Sequence, residues 1–444
     1  MIHQPKRGRQ GGSLNLSVPK PLRRRYQSPM DAIIHSAQTA AKQLRTLFEQ
    51  TPLQRNDHLS SRHRAEIWLK REDLSPVRSY KIRGAFNAMR KVLDQTPDQE
   101  IFVCASAGNH AQGVAYACRH FGRRGVIFMP VTTPKQKIDK TLVFGDGTVE
   151  IRLIGDYFDQ ALSAAQEYCT AAGGHFLSPF DDPDVIEGQA SIATEILTQL
   201  GHAPDILILP VGGGGLAAGV RSYFKALNLP TAFWFVEPLG GASLTAALAE
   251  GGPVTLQGVD SFVDGAAVAR LGARPFEALR DIDPSRVLLA PEDRICVTML
   301  EMLNVEGIVL EPAGALSVDV LPALAEEIRG KTVVCLTSGG NFDFERLPEV
   351  KERAMRFSGQ KKYFILRLPQ RPGALREFLE MLGPDDDIAR FEYLKKSARN
   401  FGSVLIGIET SKSANFDALF DRMRATGFDY RDITEDETLA NVLV

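Results

Sequence analysis

The chain is short of cysteine pairs, of net charge and of long apolar runs, and each shortage excludes a class of protein. Its five cysteines (Cys104, Cys118, Cys169, Cys296 and Cys335) lie scattered in apolar patterns with no C-x-x-C pair. An odd, dispersed set forms no disulfide framework and reads as free thiols in a reducing, cytoplasmic compartment. Lys and Arg number 52 against 54 Asp and Glu, a formal net charge of −2. That balance gives no electrostatic case for nucleic acid or a membrane surface. Uncharged stretches such as residues 206–220 are too short and too rich in glycine to cross a bilayer, which takes roughly 20 apolar residues. No HExxH and no Cys/His cluster occurs, so no catalytic metal is expected. The acidic runs Asp181-Asp182-Pro183-Asp184 and Asp385-Asp386-Asp387 read as solvated turns rather than cation ligands.

What is present is a chain of 444 residues, long enough for two or more domains with a large core. Residues 1–30 carry Lys6, Arg7, Arg9, Lys20 and Arg23-Arg24-Arg25 with no acid before Asp31. They read as a basic, disordered tail, with an Arg-rich organelle transit peptide as the alternative. A helix is expected over residues 31–50, stopped by Thr51-Pro52. From residue 67 strands and helices alternate. Strand candidates are 101–105, 125–129, 149–154, 205–211, 232–237, 286–290 and 331–337. Helical periodicity falls over 111–121, 135–144, 158–172 and 186–200. Alternation of this kind predicts parallel sheets covered on both faces, here as two α/β lobes of one domain over residues 31–357, with ligands at the carboxyl ends of strands. Ser358-Gly359 reads as a hinge. Beyond it the order is strand 363–368, helix 374–382, strands 388–393 and 403–409, helix 416–425 and a final extended stretch at 430–433. That βαββαβ order predicts a ferredoxin-like α+β domain over residues 358–444.

The chemistry concentrates in four places. In IWLKREDLSPVRSYKIRGAFNAM (residues 67–89) a short apolar strand meets a charged turn, Lys70-Arg71-Glu72-Asp73, and then a helix with Lys81 in its first turn. The macrodipole disfavours a cation there by roughly 0.3–1 kcal/mol. A lysine so placed makes sense if it is covalently occupied or balanced by a phosphate; the plain alternative is a solvated surface lysine. Second, Ser106-Ala107-Gly108-Asn109-His110 joins a strand to a helix, where small residues and free amides suit a carboxylate; a capped helix start is the alternative. Third, Gly212-Gly213-Gly214-Gly215-Leu216 follows the apolar strand 206–211. Four bare amides before a helix form an anion nest. The run lacks the GK[ST] ending of a nucleotide P-loop. It satisfies G-x-G-x-x-A through Gly212, Gly214 and Ala217, with Glu237 at the next strand end, which keeps an NAD-dependent enzyme as the second reading. Fourth, Thr337-Ser338-Gly339-Gly340-Asn341 ends the last strand of the first domain.

KREDLSPVRSYKIRGA resembles the lysine motif of fold-type II pyridoxal-phosphate (PLP) enzymes, and most closely that of the biosynthetic threonine dehydratases. The similarity runs from about residue 31 to the C-terminus. It implies a tryptophan synthase β-like catalytic domain with Lys81 carrying PLP covalently. The same resemblance implies that Gly212, Gly213, Gly214, Gly215 and Leu216 hold the phosphate. Asn109 would lie at the ring oxygen and Ser338 at the ring nitrogen, with Ser106, Gly108, Asn109 and His110 gripping the substrate carboxylate. Glu311 in EPAGA matches the family as well, but a helix-starting carboxylate accounts for it equally. KKYFILRLPQRPGALREFLEMLGPDDDIARFEYLKK resembles the ACT-like regulatory domain of the same family, in one copy where longer members carry two. Deamination of L-threonine to 2-oxobutanoate and ammonia is implied, with L-serine as a lesser substrate, in a homo-oligomer expected to be a tetramer. Isoleucine is implied as allosteric inhibitor and valine as its opponent. A catabolic serine/threonine dehydratase or a serine racemase shares the catalytic motifs, and the tail favours the biosynthetic enzyme. An amino-acid sensor with an inert catalytic part is the alternative from another class.

Overall fold

The computed structural model describes residues 29–394 and 400–436. The basic segment read at residues 1–30 lies, up to residue 28, outside the described residues. The larger lobe is built on a six-stranded sheet in the order Leu53–Arg55, Glu66–Arg71, Thr332–Thr337, Ile206–Pro210, Ala232–Pro238, Val287–Ala290. Every neighbouring pair is parallel except the first. Ile206–Pro210 is buried at every position, as expected of a parallel strand covered on both faces. Separate apolar clusters occupy the two sides of this sheet, one around Ile208, Val236 and Leu316, the other around Leu207, Phe224 and Phe235.

The smaller lobe is a parallel sheet in the order Val149–Leu153, Arg124–Met129, Ile101–Ala105, His175–Phe176. The helices Lys81–Gln95 and Asn109–Phe121 cover it through Ala85, Met89, Val114 and Cys118. The two-lobed α/β architecture expected from the alternation is therefore present. One pairing positions the site. Glu66–Arg71 lies in register beside Thr332–Thr337, so the segment leading to Lys81 runs alongside the one ending at Ser338.

Lys70 to Asp73, read as a charged turn, are buried instead. Lys70 and Arg83 are fully buried, and Arg83 donates to Glu72 at 2.7 and 2.8 Å and to Glu195 at 2.8 Å. Lys70 Nζ donates to Glu195 at 2.7 Å and to the Thr51 carbonyl at 2.6 Å. The partner that makes this burial tolerable, Glu195, comes from the distant helix Pro183–Leu200. Removing one member of such a network costs about 3–5 kcal/mol, because a charge is left buried and unpaired. Arg83 sits in the first turn of the Lys81 helix, so the network also fixes that helix start.

The C-terminal part is an antiparallel sheet in the order Asp386–Leu394, Phe401–Thr410, Lys361–Pro369, Tyr430–Asp432. Helices Ala374–Leu379 and Asn415–Ala425 pack on one face around Phe364, Ile406, Phe378 and Leu419, which is the ferredoxin-like plan. Helix Leu347–Phe357 precedes it and buries Val350 and Ala354 in the core of the larger lobe.

Candidate active site

Lys81 is placed by backbone geometry. The Ser75 hydroxyl donates to the Ser79 carbonyl at 2.8 Å and accepts from the Ser79 N–H at 2.9 Å, closing the turn before the helix. Arg78 within this turn has φ of 55°, a strained value of the kind kept at functional sites. Ser79 bridges to Gly339, and the Tyr80 N–H donates to the Ser338 carbonyl at 3.1 Å. Lys81 Nζ donates to the Pro179 carbonyl at 2.9 Å and lies 5.3 and 5.9 Å from the ring centres of Tyr80 and Phe180. Burial lowers its pKa to about 8, with the charge of Glu311 opposing the shift. A depressed, accessible amine is what covalent or proton-transfer chemistry requires.

The four glycines link Ile206–Pro210 to helix Gly215–Ala226, with Gly214 as its N-cap at φ of 86°. A Cβ on Gly213 would stand 2.2 Å from the Phe180 ring. A Cβ on Gly212 would stand 2.9 Å from Ala266, and one on Gly215 2.9 Å from the Phe180 carbonyl. The ring beside Lys81 thus lies over the glycine run and binds the two features into one site. Leu216 buries its side chain in the core, and in the first helical turn its N–H has no intrahelical partner. The run is a bare-amide cradle at a helix start, suited to a phosphate.

Asn109 opens helix Asn109–Phe121. Its Nδ2 donates to Glu311 Oε1 at 2.7 Å, and its Oδ1 accepts from Asn341 Nδ2 at 2.7 Å. The Gly108 N–H donates to the Ser106 hydroxyl at 3.2 Å, shaping the loop. Ser338 is buried and its hydroxyl donates to the Ala313 carbonyl at 3.1 Å. His110 differs from its neighbours. Its ring is buried and its Nε2–H donates to the Leu177 carbonyl at 2.9 Å. Burial, with Lys81 adding, pulls its pKa down to about 3, so the imidazole is neutral and turned into the core. Only the His110 backbone is then left for the loop.

Glu311, passed over in the sequence, has its carboxyl inside the site. An added Cβ on Gly339 would stand 2.1 Å from its Oε1. Burial first, and Asp264 second, raise its pKa to about 8. It stands before helix Pro312–Asp319 as the N-cap without making a side-chain cap, and that missing cap is the local sign that its carboxylate points elsewhere. Glu237, the acid of the dinucleotide reading, is occupied: it accepts from the N–H groups of Leu244 and Thr245 and from the Thr245 hydroxyl. The acidic run at 181–184 caps two helices and pairs with Lys91. No group of three or more metal-binding side chains occurs among the described residues. A cleft of about 480 Å³ opens between the lobes, with Ala107, Thr133, Asp264, Glu311 and Asn341 in its walls.

Residues 44–339 match the family of pyridoxal-phosphate-dependent enzymes, and residues 352–443 match the C-terminal regulatory domain of threonine dehydratase. The biosynthetic L-threonine dehydratase of Bacillus subtilis is 46% identical over 420 residues, spanning 94% of this chain and 96% of that one. That of Corynebacterium glutamicum is 46% identical over 399 residues, 89% and 91% of the two chains. Among solved structures, the processed threonine deaminase isoform 2 of Solanum lycopersicum superposes with a TM-score of 0.69 at 36% identity, covering 73% of this chain and 88% of that one. With both family models matched and relatives 46% identical over about nine-tenths of each chain, the chain belongs to the threonine dehydratase family of PLP-dependent enzymes.

Proposed function

We propose that the chain deaminates L-threonine to 2-oxobutanoate and ammonia, the committed step toward isoleucine, with L-serine as a secondary substrate. The observation that carries the reading is Lys81: a half-buried amine with pKa about 8, held beside Ser338 and across Phe180 from the glycine cradle. The residues present fit PLP. The bare amides of Gly212 to Gly215 and of Leu216 suit its phosphate, Ser338 its ring nitrogen and Asn109 its ring oxygen. When bound, PLP supplies the electron withdrawal that acidifies the substrate Cα–H.

This chain's residues do the rest. Lys81 would hold the cofactor, and its Nζ is the base placed to take the substrate Cα proton. The N–H groups around Ser106, Gly108, Asn109 and His110 orient the substrate carboxylate. The Ser338 hydroxyl, unlike a carboxylate, does not enforce a protonated ring nitrogen, which favours prompt loss of the β-hydroxyl. Regulation belongs to the same proposal: isoleucine binds the C-terminal domain and lowers threonine affinity, and valine opposes it, in a tetramer assembled from residues 31–357 and 358–444 of each chain. The five buried, unpaired thiols agree with a cytoplasmic setting.

Lys81→Ala is the test. The purified parent should be yellow, and borohydride should fix the colour to a peptide containing Lys81. The variant should lose both the fixed chromophore and oxo-acid release from threonine. Near-normal turnover in the variant removes Lys81 from the mechanism.

A further inference from the structure

The loop after Asp260 touches the glycine run and the Asn109–Glu311 side of the site. Ala266 packs on Gly212, and Gly265 lies against Glu311 and Asn109. Asp264 pairs with Lys137 of the smaller lobe, so one ion pair spans the cleft between lobes. The outer end of this loop is held from behind. The guanidinium groups of Arg346 and Arg353 lie 4.7 and 4.3 Å from the centre of the Phe262 ring. Arg346 also donates to the Phe262 carbonyl at 3.3 Å. Glu349 joins the two arginines, at 3.1 and 3.2 Å, and Asp293 holds Arg353 at 2.9 Å. Phe262 itself is buried.

Both arginines belong to helix Leu347–Phe357 and the turn that enters it. The adjoining strip of that helix faces the C-terminal domain. Glu352 accepts from Lys361 Nζ at 2.5 Å and from the Tyr363 hydroxyl at 2.9 Å, and Arg356 donates to the Thr434 carbonyl at 2.7 Å. Lys361 also reaches Glu409 at 2.9 Å on the next strand of the sheet. A contiguous chain of charged and aromatic contacts therefore runs from the regulatory sheet, along one helix, to the loop beside Gly212, Asn109 and Glu311.

We infer that this helix is the element through which the C-terminal domain acts on the active site. Arg353 on Phe262 sets the position of the 260–266 loop, and the Lys137–Asp264 pair is the two-state contact it makes or breaks. The inference rests on the proposed function for the identity of the effector alone. Contacts lying between two sites do not by themselves demonstrate coupling; a demonstrated two-state element does. We take the Lys137–Asp264 pair, which links the two lobes across the cleft, as the element whose making or breaking the test must show.

The test uses the full-length, PLP-loaded protein, with L-isoleucine as probe. In the parent, isoleucine should raise the threonine KM rather than lower kcat, within the usual coupling range of about 5- to 150-fold. It should also change amide exchange in peptides covering 258–268 and 132–140. Arg353→Met should still bind isoleucine by calorimetry, while the KM shift falls below about twofold and the exchange change at 258–268 disappears. Undiminished transmission in Arg353→Met overturns the inference. If isoleucine does not bind the parent at all, the effector reading falls separately. The coupling is then read from Glu352→Gln, which weakens the regulatory-side contact and should speed exchange at 258–268 without any ligand; unchanged exchange there overturns it too.

Discussion

Burial decides the protonation of the two groups that face one another in the site. Glu311 is raised to about 8 by desolvation and by Asp264. A carboxyl whose folded value exceeds its ordinary 4.5 binds its proton more tightly when folded. It contributes fully below the unfolded value, and that contribution is lost as pH rises through about 8. Glu311→Gln keeps the neutral shape and has no proton to lose. In cofactor-free protein, the parent should therefore lose stability relative to Glu311→Gln between pH 6 and pH 9, by on the order of 1–3 kcal/mol. Urea unfolding at both pH values measures it, and parallel behaviour would show that Glu311 is already ionised. The sequence announced Lys81 because its motif is local: a serine turn, a lysine and a helix lie within a few residues. It did not announce the role of Lys70, Glu72 and Arg83. Their neutralising partner, Glu195, stands on another helix, and a run of charges with no visible partner reads as a solvated turn.

Among the elements, the glycine cradle is where packing and chemistry make the same demand. Gly213 has no room for a Cβ because the Phe180 ring already fills it at 2.2 Å. The same loop gives its Pro179 carbonyl to Lys81. Gly213→Ala should displace Phe180, cost about 1–3 kcal/mol as an overpacking change, and loosen the hold on Lys81. In a Phe180→Ala background the same substitution should cost much less, a favourable coupling read from chemical unfolding of the four proteins. Additive costs would mean that the ring is not what excludes the side chain. The strand 101–105 was legible to the residue, since Ile101–Ala105 is a buried apolar run bounded by polar residues. The first helix was not: it ends at Leu44, not near residue 50, because the N–H groups of Arg45, Thr46 and Leu47 donate three residues back, to Lys42, Gln43 and Leu44, while the apolar spacing continues through Leu47. Leu53–Arg55 and His175–Phe176 are too short for any periodicity to register. They exist through pairing with neighbours the local pattern cannot name.

In the whole molecule, the two domains meet through polar contacts carried by helix Leu347–Phe357. The helix buries Val350 and Ala354 in the catalytic core and offers Glu352 and Arg356 to the regulatory sheet. A boundary whose contacts among the described residues are polar lets the parts shift relative to one another. Val350 and Ala354 belong to the catalytic core, so that core should persist when the tail beyond the helix is removed. Strand order and the helix-to-loop contacts were invisible in the sequence, because they pair residues such as Arg353 and Phe262 that stand far apart in the chain. Where the sequence suggests a hinge, at Ser358-Gly359, the helix ends at Phe357 and Gly359 adopts φ of 66°, a conformation that favours glycine. Truncation after Ser358 should leave threonine elimination measurable and remove its response to isoleucine. An effector shifts an equilibrium only through different affinity for two states, and with the tail gone nothing distinguishes those states to it. Subunit mass measured in parallel separates loss of regulation from loss of assembly. A truncated protein of unchanged assembly, still inhibited at the same isoleucine concentration, would move the effector site into the catalytic domain. It would also leave the Glu352 contacts with no regulatory signal to carry.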